Sequence, residues 1–276
     1  MQRFKIVHRT YYNFSSPVML GAHQLRLRPR EDHEMRIESF NLKITPPATL
    51  LWHRDVEGNS VATATFSSTA AQLAIASEVV IQQFNEAPLD FMVAGHAVNY
   101  PFTYRADEIY LLLPYMAFPD DQTRKQIHDW IADFWRTGEP IQTYSLLQRL
   151  AGSIHQTMQY QRREEPGVQA PARTLANGSG SCRDFATLFM TAARCLGLAS
   201  RFVSGYLYIP QPTSDYGATH AWAEVYLPGA GWKGFDPTIG KIVGADHIAV
   251  AVANLPDAVP PIAGTFTGKP GSSMDV

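Results

Sequence analysis

Apolar and polar side chains alternate with a period of two through the first third of the chain. Phe4, Ile6, His8 and Thr10 stand against Lys5, Val7 and Arg9, and Ile37, Phe40, Leu42 and Ile44 follow before Pro46-Pro47. Further strand-type runs cover 50–56, 61–67 and 73–83. The clusters Ser15-Ser16-Pro17, Arg30-Glu31-Asp32 and Glu57-Gly58-Asn59 between them are turn formers. Short strands at this spacing predict an antiparallel β-sandwich.

The period changes after about residue 105. Ile127, Trp130, Ile131 and Phe134 recur at helical spacing within 122–136, as do Leu146, Leu147, Leu150, Ile154 and Met158 within 144–158. Residues 160–180, with Pro166-Gly167, Pro171 and Asn177-Gly178, read as a long polar loop. Phe185, Leu188, Phe189, Ala192 and Leu196 then form the inward stripe of a helix that Gly197 ends. Strands are expected over 200–208, 220–227 and 232–236, and a Pro, Gly and Ser-rich tail begins at Pro256. Helices followed by strands predict an α+β domain. The chain therefore divides into an N-terminal β-sandwich domain, 1–105, and a second domain, 106–276, that includes the tail.

Charge narrows the partners. Twenty-three basic and 25 acidic side chains give a net charge of −2, which offers no field for collecting nucleic acid or an acidic membrane. No apolar stretch reaches membrane-spanning length, and Met1-Gln2-Arg3-Phe4-Lys5 lacks the apolar core of a secretory signal. The two cysteines, Cys182 and Cys195, fall on one predicted helix roughly 20 Å apart at about 1.5 Å per residue, too far for a disulfide. A cytoplasmic protein is expected.

One constellation carries chemistry. Cys182 lies in Gly180-Ser181-Cys182-Arg183-Asp184-Phe185 at a helix start, three residues before Phe185 and so on the inward side. A helix N-terminus and a neighbouring imidazolium both stabilise a thiolate, although a free cysteine is most often an inert core residue. Asp184 in the first turn opposes the thiolate, and Arg183 is placed to offset it. His220 heads His220-Ala221-Trp222-Ala223-Glu224-Val225-Tyr226, whose period sets His220, Trp222, Glu224 and Tyr226 on one face and small apolar residues on the other. Asp236 precedes Pro237 and can fix the tautomer of His220 if the strands on either side of Pro228-Gly229-Ala230-Gly231 form a hairpin. A four-residue turn pairing Leu227 with Trp232 would direct Asp236 to the wrong face; a shorter turn centred on Pro228, or a bulge, would restore it.

These segments, with Arg201-Phe202-Val203-Ser204-Gly205-Tyr206 and Asp236-Pro237-Thr238, resemble the bacterial transglutaminase-like superfamily of cysteine enzymes. The β-rich first 80 or so residues are similar to the N-terminal region of its bacterial members. The resemblance implies a papain-like core with Cys182 as nucleophile, His220 as general base and acid, and Asp236 as its orienting partner. It also implies a peptide or protein amide as substrate, hydrolysed or passed to an amine; a non-catalytic peptide-binding module on the same fold is the other class. Tyr160, Ser181 and Trp222 are candidates for the oxyanion site and substrate cleft. Neither a Cys-x-x-Cys, a His-Glu-x-x-His nor a phosphate-binding loop occurs, so no metal and no cofactor are assigned.

Overall fold

The computed structural model describes residues 1–275 apart from 85–86, 119, 164, 210–218 and 270. Five strands open the chain: β1 (Gln2–Leu25), β2 (Met35–Thr45), β3 (Thr49–Arg54), β4 (Ser60–Thr65) and β5 (Thr69–Gln83). They pair antiparallel in the order β2-β5-β1-β4-β3. The expected strands are present, but they belong to one curled sheet in place of two sheets stacked face to face. The long β1 accounts for this, since it pairs with β5 over its first half and meets β4 near its end. Val18, Leu20, Leu25, Ala62, Leu73 and Ile75 thereby enclose a core of their own.

The middle of the chain holds β6 (Asn99–Tyr100), α1 (Ala106–Met116), α2 (Asp121–Ile131), β7 (Ile141–Gln142), α3 (Thr143–Thr157), β8 (Gln159–Tyr160), α4 (Pro171–Asn177), β9 (Ser179–Gly180) and α5 (Cys182–Cys195). The connection over 160–180 is thus not wholly a loop. It contains α4, begun by Pro171 at its first position and ended by Gly178 in the left-handed region at φ 58°.

A second sheet follows: β10 (Ser200–Leu207), β11 (His220–Leu227), β12 (Gly231–Asp236), β13 (Lys241–Ile242) and β14 (His247–Ala253), in the order β13-β12-β11-β10-β14. The helix α5 lies on one face of it. Phe185, Phe189, Ala192, Ala221, Ala223, Val225 and Phe235 form the main core, closed by Leu146, Leu147 and Leu150 of α3. Small residues on β11 let α5 approach closely, while its phenylalanines fill the gap between helix and strands.

The tail joins the N-terminal sheet. Residues after Pro256 fold back as β15 (Ile262–Thr267) and β16 (Ser272–Asp275), and both pair with β1. The N-terminal sheet therefore draws strands from the first and the last parts of the sequence and, among the described residues, has seven of them. Polar bonds bind it to the second sheet. The fully buried Asn59 side chain donates to the Val252 carbonyl at 2.8 Å and accepts from the Val252 N–H at 2.9 Å, acting as a strand substitute on the edge of β14.

Candidate active site

The register of the β11–β12 hairpin decides whether a site can form. Leu227 pairs with Gly231 and Ala223 with Phe235, so the loop has three residues, Pro228, Gly229 and Ala230. Gly229 (φ 84°) and Gly231 (φ 75°) take the left-handed conformations that this tight connection needs. The pairing sets Asp236 level with Trp222 on the face that carries His220, one diagonal step away. The His220 Nε2 and Asp236 Oδ2 lie 2.6 Å apart. A shorter turn is what occurs, centred on Gly229 in place of the expected Pro228.

Cys182 completes the group. It is the first residue of α5 and 7% exposed, and it lies near enough to the His220 ring to help raise that ring's pKa. Nε2 is held by Asp236, so Nδ1 is the ring nitrogen left for the thiol. Burial disfavours the His220 imidazolium, but Asp236 and Cys182 outweigh it and push its pKa up to about 10. Burial likewise opposes the Asp236 carboxylate, yet hydrogen bonds from His220 and His247 hold its pKa well below the usual range. The structure thus brings Cys182, His220 and Asp236 together, as the sequence order requires.

A fourth member was not foreseen. The buried His247, first residue of β14, places its Nε2 3.1 Å from the same Asp236 Oδ2. Its Nδ1 accepts from the Gly244 N–H at a long 3.4 Å, which leaves Nε2–H to donate to the carboxylate. Nothing local in the sequence marks His247, because β14 lies beyond β10 from His220 and only the strand order unites them. Three donor atoms, from His220, Asp236 and His247, lie within 4.8 Å of one another and could hold a metal ion. However, 2.6 and 3.1 Å are hydrogen-bond lengths, whereas tetrahedral zinc with bonds of about 2.0–2.1 Å would spread its donors to roughly 3.3 Å. The arrangement fits two shared protons better.

The other candidates divide. Tyr160 is half exposed and is held beside Gly180 by the parallel β8–β9 pair, its ring 6.4 Å from Phe185. It borders the thiol end of α5, where a cleft residue is expected. Ser181 is buried, and its hydroxyl donates to Asp184 at 2.9 Å, so it caps the helix and does not line a cleft. Trp222 is 1% exposed and packs with Val203 and Val252 on the sheet face away from α5. It supports the histidines from behind, with its ring centroid 5.2 Å from that of His247. Glu224 on the same face pairs with Arg201, so only His220, at the strand's first position, serves the site.

Asp184 corrects the expected charge pattern. Its carboxylate accepts from the Arg163 guanidinium and the Gln169 N–H at 2.7 Å each, and from the Ser181 N–H at 2.8 Å. Burial pushes its pKa up, but these bonds prevail and hold it down. Arg163 is therefore the compensating cation, while Arg183 donates to the carbonyls of Arg163 and Glu165. Gly180 belongs to this network, since a Cβ there would meet the Asp184 Cβ at 2.8 Å. Together these contacts pin the segment that leads into Cys182. A crevice of about 280 Å³ opens beside His220, lined by Val168, Arg183, Phe202, Ala221, Val259 and Pro260 among others.

Comparisons with known proteins agree with this architecture. Residues 4–82 match the family described as the bacterial transglutaminase-like N-terminal region, and residues 125–237 match the transglutaminase-like superfamily. An uncharacterized protein of Mycobacterium tuberculosis is 27% identical over 293 residues, covering 99% of this chain and 91% of the relative. One from Mycobacterium leprae is 24% identical, covering 100% and 97%. The crystal structure of a suspected cysteine protease from Cytophaga hutchinsonii superposes with a TM-score of 0.71 at 15% identity, covering 100% of this chain and 90% of that one; it shares the fold. The chain thus carries a transglutaminase-like core over 125–237 behind a bacterial transglutaminase-like N-terminal region over 4–82.

Proposed function

We propose that Cys182, His220 and Asp236 act as a thiol catalytic triad that cleaves an amide bond in a peptide or protein. The observation that carries this reading is the 2.6 Å contact between the His220 ring and Asp236, with Cys182 beside that ring at the N-terminus of α5. A thiol at a helix N-terminus beside an imidazole is placed to give its proton to that ring as it attacks. The thiolate attacks the amide carbonyl carbon, and the oxyanion is met by the Cys182 N–H, which as the first of α5 has no acceptor within the helix. The C–N bond then breaks as His220 gives its proton to the leaving amine. Water attacks the resulting thioester, His220 takes its proton, and the thiol is released with the new carboxylic acid.

Hydrolysis is the preferred outcome, and transfer to a primary amine differs from it only in the second nucleophile. Both cysteines are free thiols, which suits a reducing compartment. Among the described residues no helix is long and apolar enough to cross a membrane. The test is incubation with a peptide library, with and without an added primary amine, read by mass. Cleavage or deamidation that disappears in Cys182→Ala supports the hydrolase, and amine incorporation makes it a transferase. Products that persist in Cys182→Ala overturn the mechanism.

A further inference from the structure

The crevice of about 280 Å³ borders one member of the site and not the others. His220 is part of its wall, whereas Cys182 and Tyr160 are not. Amide cleavage gives these two sides different work. Cys182 keeps the acyl half of the substrate, while the amine half must sit beside the ring that protonates its nitrogen, within about 2.6–3.2 Å. A space that opens next to His220 therefore faces the half of the substrate that leaves.

Its lining is mainly apolar. Phe202, Ala221 and Val259, each at most 3% exposed, line it from within the core, and Val168, Pro256 and Pro260 stand around them. Proline fixes φ near about −65°, so that side of the crevice is preformed. Its volume of about 280 Å³ falls at the small end of ligand pockets, roughly 300–1,000 Å³, which suits one side chain better than an extended segment. The two charged residues on the wall select no charged ligand. Arg183 already donates to the carbonyls of Arg163 and Glu165, and the exposed Asp257 supplies the opposite sign. The Ser204 hydroxyl, in a residue 8% exposed, has no hydrogen-bond partner among the described residues and is not sealed from solvent. It can donate to a carbonyl or accept from an N–H.

We propose that the crevice receives an apolar side chain, of leucine or phenylalanine type, from the residue that follows the scissile bond, with the Ser204 hydroxyl on the peptide main chain beyond it. This rests on the amide-cleaving reading and names its substrate class. As the C–N bond breaks, the acyl carbon stays on the Cys182 sulfur and the His220 proton goes to the nitrogen. The new amino terminus then withdraws its side chain from the crevice, and water enters from that side. A glutamine side chain would release ammonia, which makes no use of this surface, so a peptide bond suits the site better than a primary carboxamide.

The experiment uses the full chain carrying Cys182→Ala, labelled at the valine methyl groups and titrated by NMR with L-leucinamide, L-phenylalaninamide and glycinamide as probes of the amine half. The Val168 signals are those missing in Val168→Leu. The expected result is a saturable shift of those signals, with both apolar amides binding at least about tenfold tighter than glycinamide, since even one methylene in an apolar pocket is worth roughly 10–200-fold. Val168→Asp should remove that preference and Val168→Leu should keep it. In the parent protein, peptides of the library should be cut ahead of leucine or phenylalanine at least about tenfold faster than ahead of glycine or aspartate. The proposal is overturned if the three amides bind alike or leave the Val168 signals unmoved. It is equally overturned if cleavage ignores the residue after the cut, which leaves the triad standing. Tight binding of the apolar amides with no cleavage of any peptide supports the crevice as an apolar amine site and overturns the triad reading.

Discussion

Asp236→Asn isolates the electrostatic part of the proposed triad with little change of shape. The carboxylate accepts from both His220 and His247 through Oδ2 and from the Thr238 N–H at 2.8 Å through Oδ1. An amide keeps one acceptor oxygen and turns the other position into a donor, so one of these N–H groups faces another N–H. Asp236 is also the leading cause that raises His220 against burial, from 6.5 to about 10. Removing its charge should lower the imidazolium pKa by at least about one unit, each unit being about 1.4 kcal/mol. The His220 ring, followed by NMR across pH, reads this directly. Iodoacetamide alkylation of Cys182 at pH 6 should slow at least about tenfold, because a less basic ring takes the thiol proton less readily. Access to the buried thiol is common to both proteins and cancels in the ratio. Cys195, at the far end of α5, serves as an internal reference, since burial pushes its thiol pKa up. An unchanged His220 titration together with an unchanged Cys182 rate would refute the reasoning.

Further outcomes follow from the same geometry. His247→Gln should lower kcat about tenfold with KM nearly unchanged, because the residue positions Asp236 without facing the crevice; an unaltered kcat would remove it from the site. Gly205→Ala should destabilise the protein by about 1–3 kcal/mol in urea unfolding, because a Cβ there meets the Ile248 carbonyl oxygen and Trp222 Cη2 at 2.7 Å or closer; a neutral substitution would contradict the packing. Asp184→Ala should cost about 1–3 kcal/mol, since it leaves the Ser181 and Gln169 N–H groups without their acceptor and Arg163 with Glu165 alone, and an unchanged stability would count against the network. Stability should also respond to pH with opposite signs at the two groups. The His220 contribution, from a raised pKa, is complete below 6.5 and fades as pH rises toward 10. The Asp236 contribution, from a lowered pKa, is present above 3.8 and is lost as pH falls. Unfolding midpoints measured from pH 2 to 10, in the parent and in His220→Ala, test whether the alkaline slope belongs to His220.

Local periodicity made much of this molecule legible. The strands of the N-terminal sheet, α2, α3, α5 and the hairpin all carry their own apolar pattern, and Cys182 and His220 each stand at the start of such an element. Asp236 was readable as a candidate, but its facing depended on a loop one residue shorter than the alternative, which Gly229 and Gly231 permit. Features assembled across the chain were hidden. β15 and β16 read as a tail because their partner, β1, lies at the opposite end of the chain. His247 reaches Asp236 only because β14 joins the far edge of β10. Ser181 and Trp222 were placed by proximity in sequence and by strand period, and neither signal distinguishes a cleft from a cap or a second buried face. The same limit applied to Asp184, whose cation proved to be Arg163, twenty-one residues upstream, in place of the adjacent Arg183.

The central claim is that Cys182 forms a covalent acyl intermediate with an amide substrate. Its most direct test is intact mass after acid quench of the protein mixed with a peptide substrate found in the library screen, followed by peptide mapping. The account predicts an adduct equal to the acyl portion of that substrate, located on Cys182, absent in Cys182→Ala and discharged on return to neutral pH. Turnover with no adduct on Cys182 at any quench time, and with undiminished product in Cys182→Ala, would contradict it.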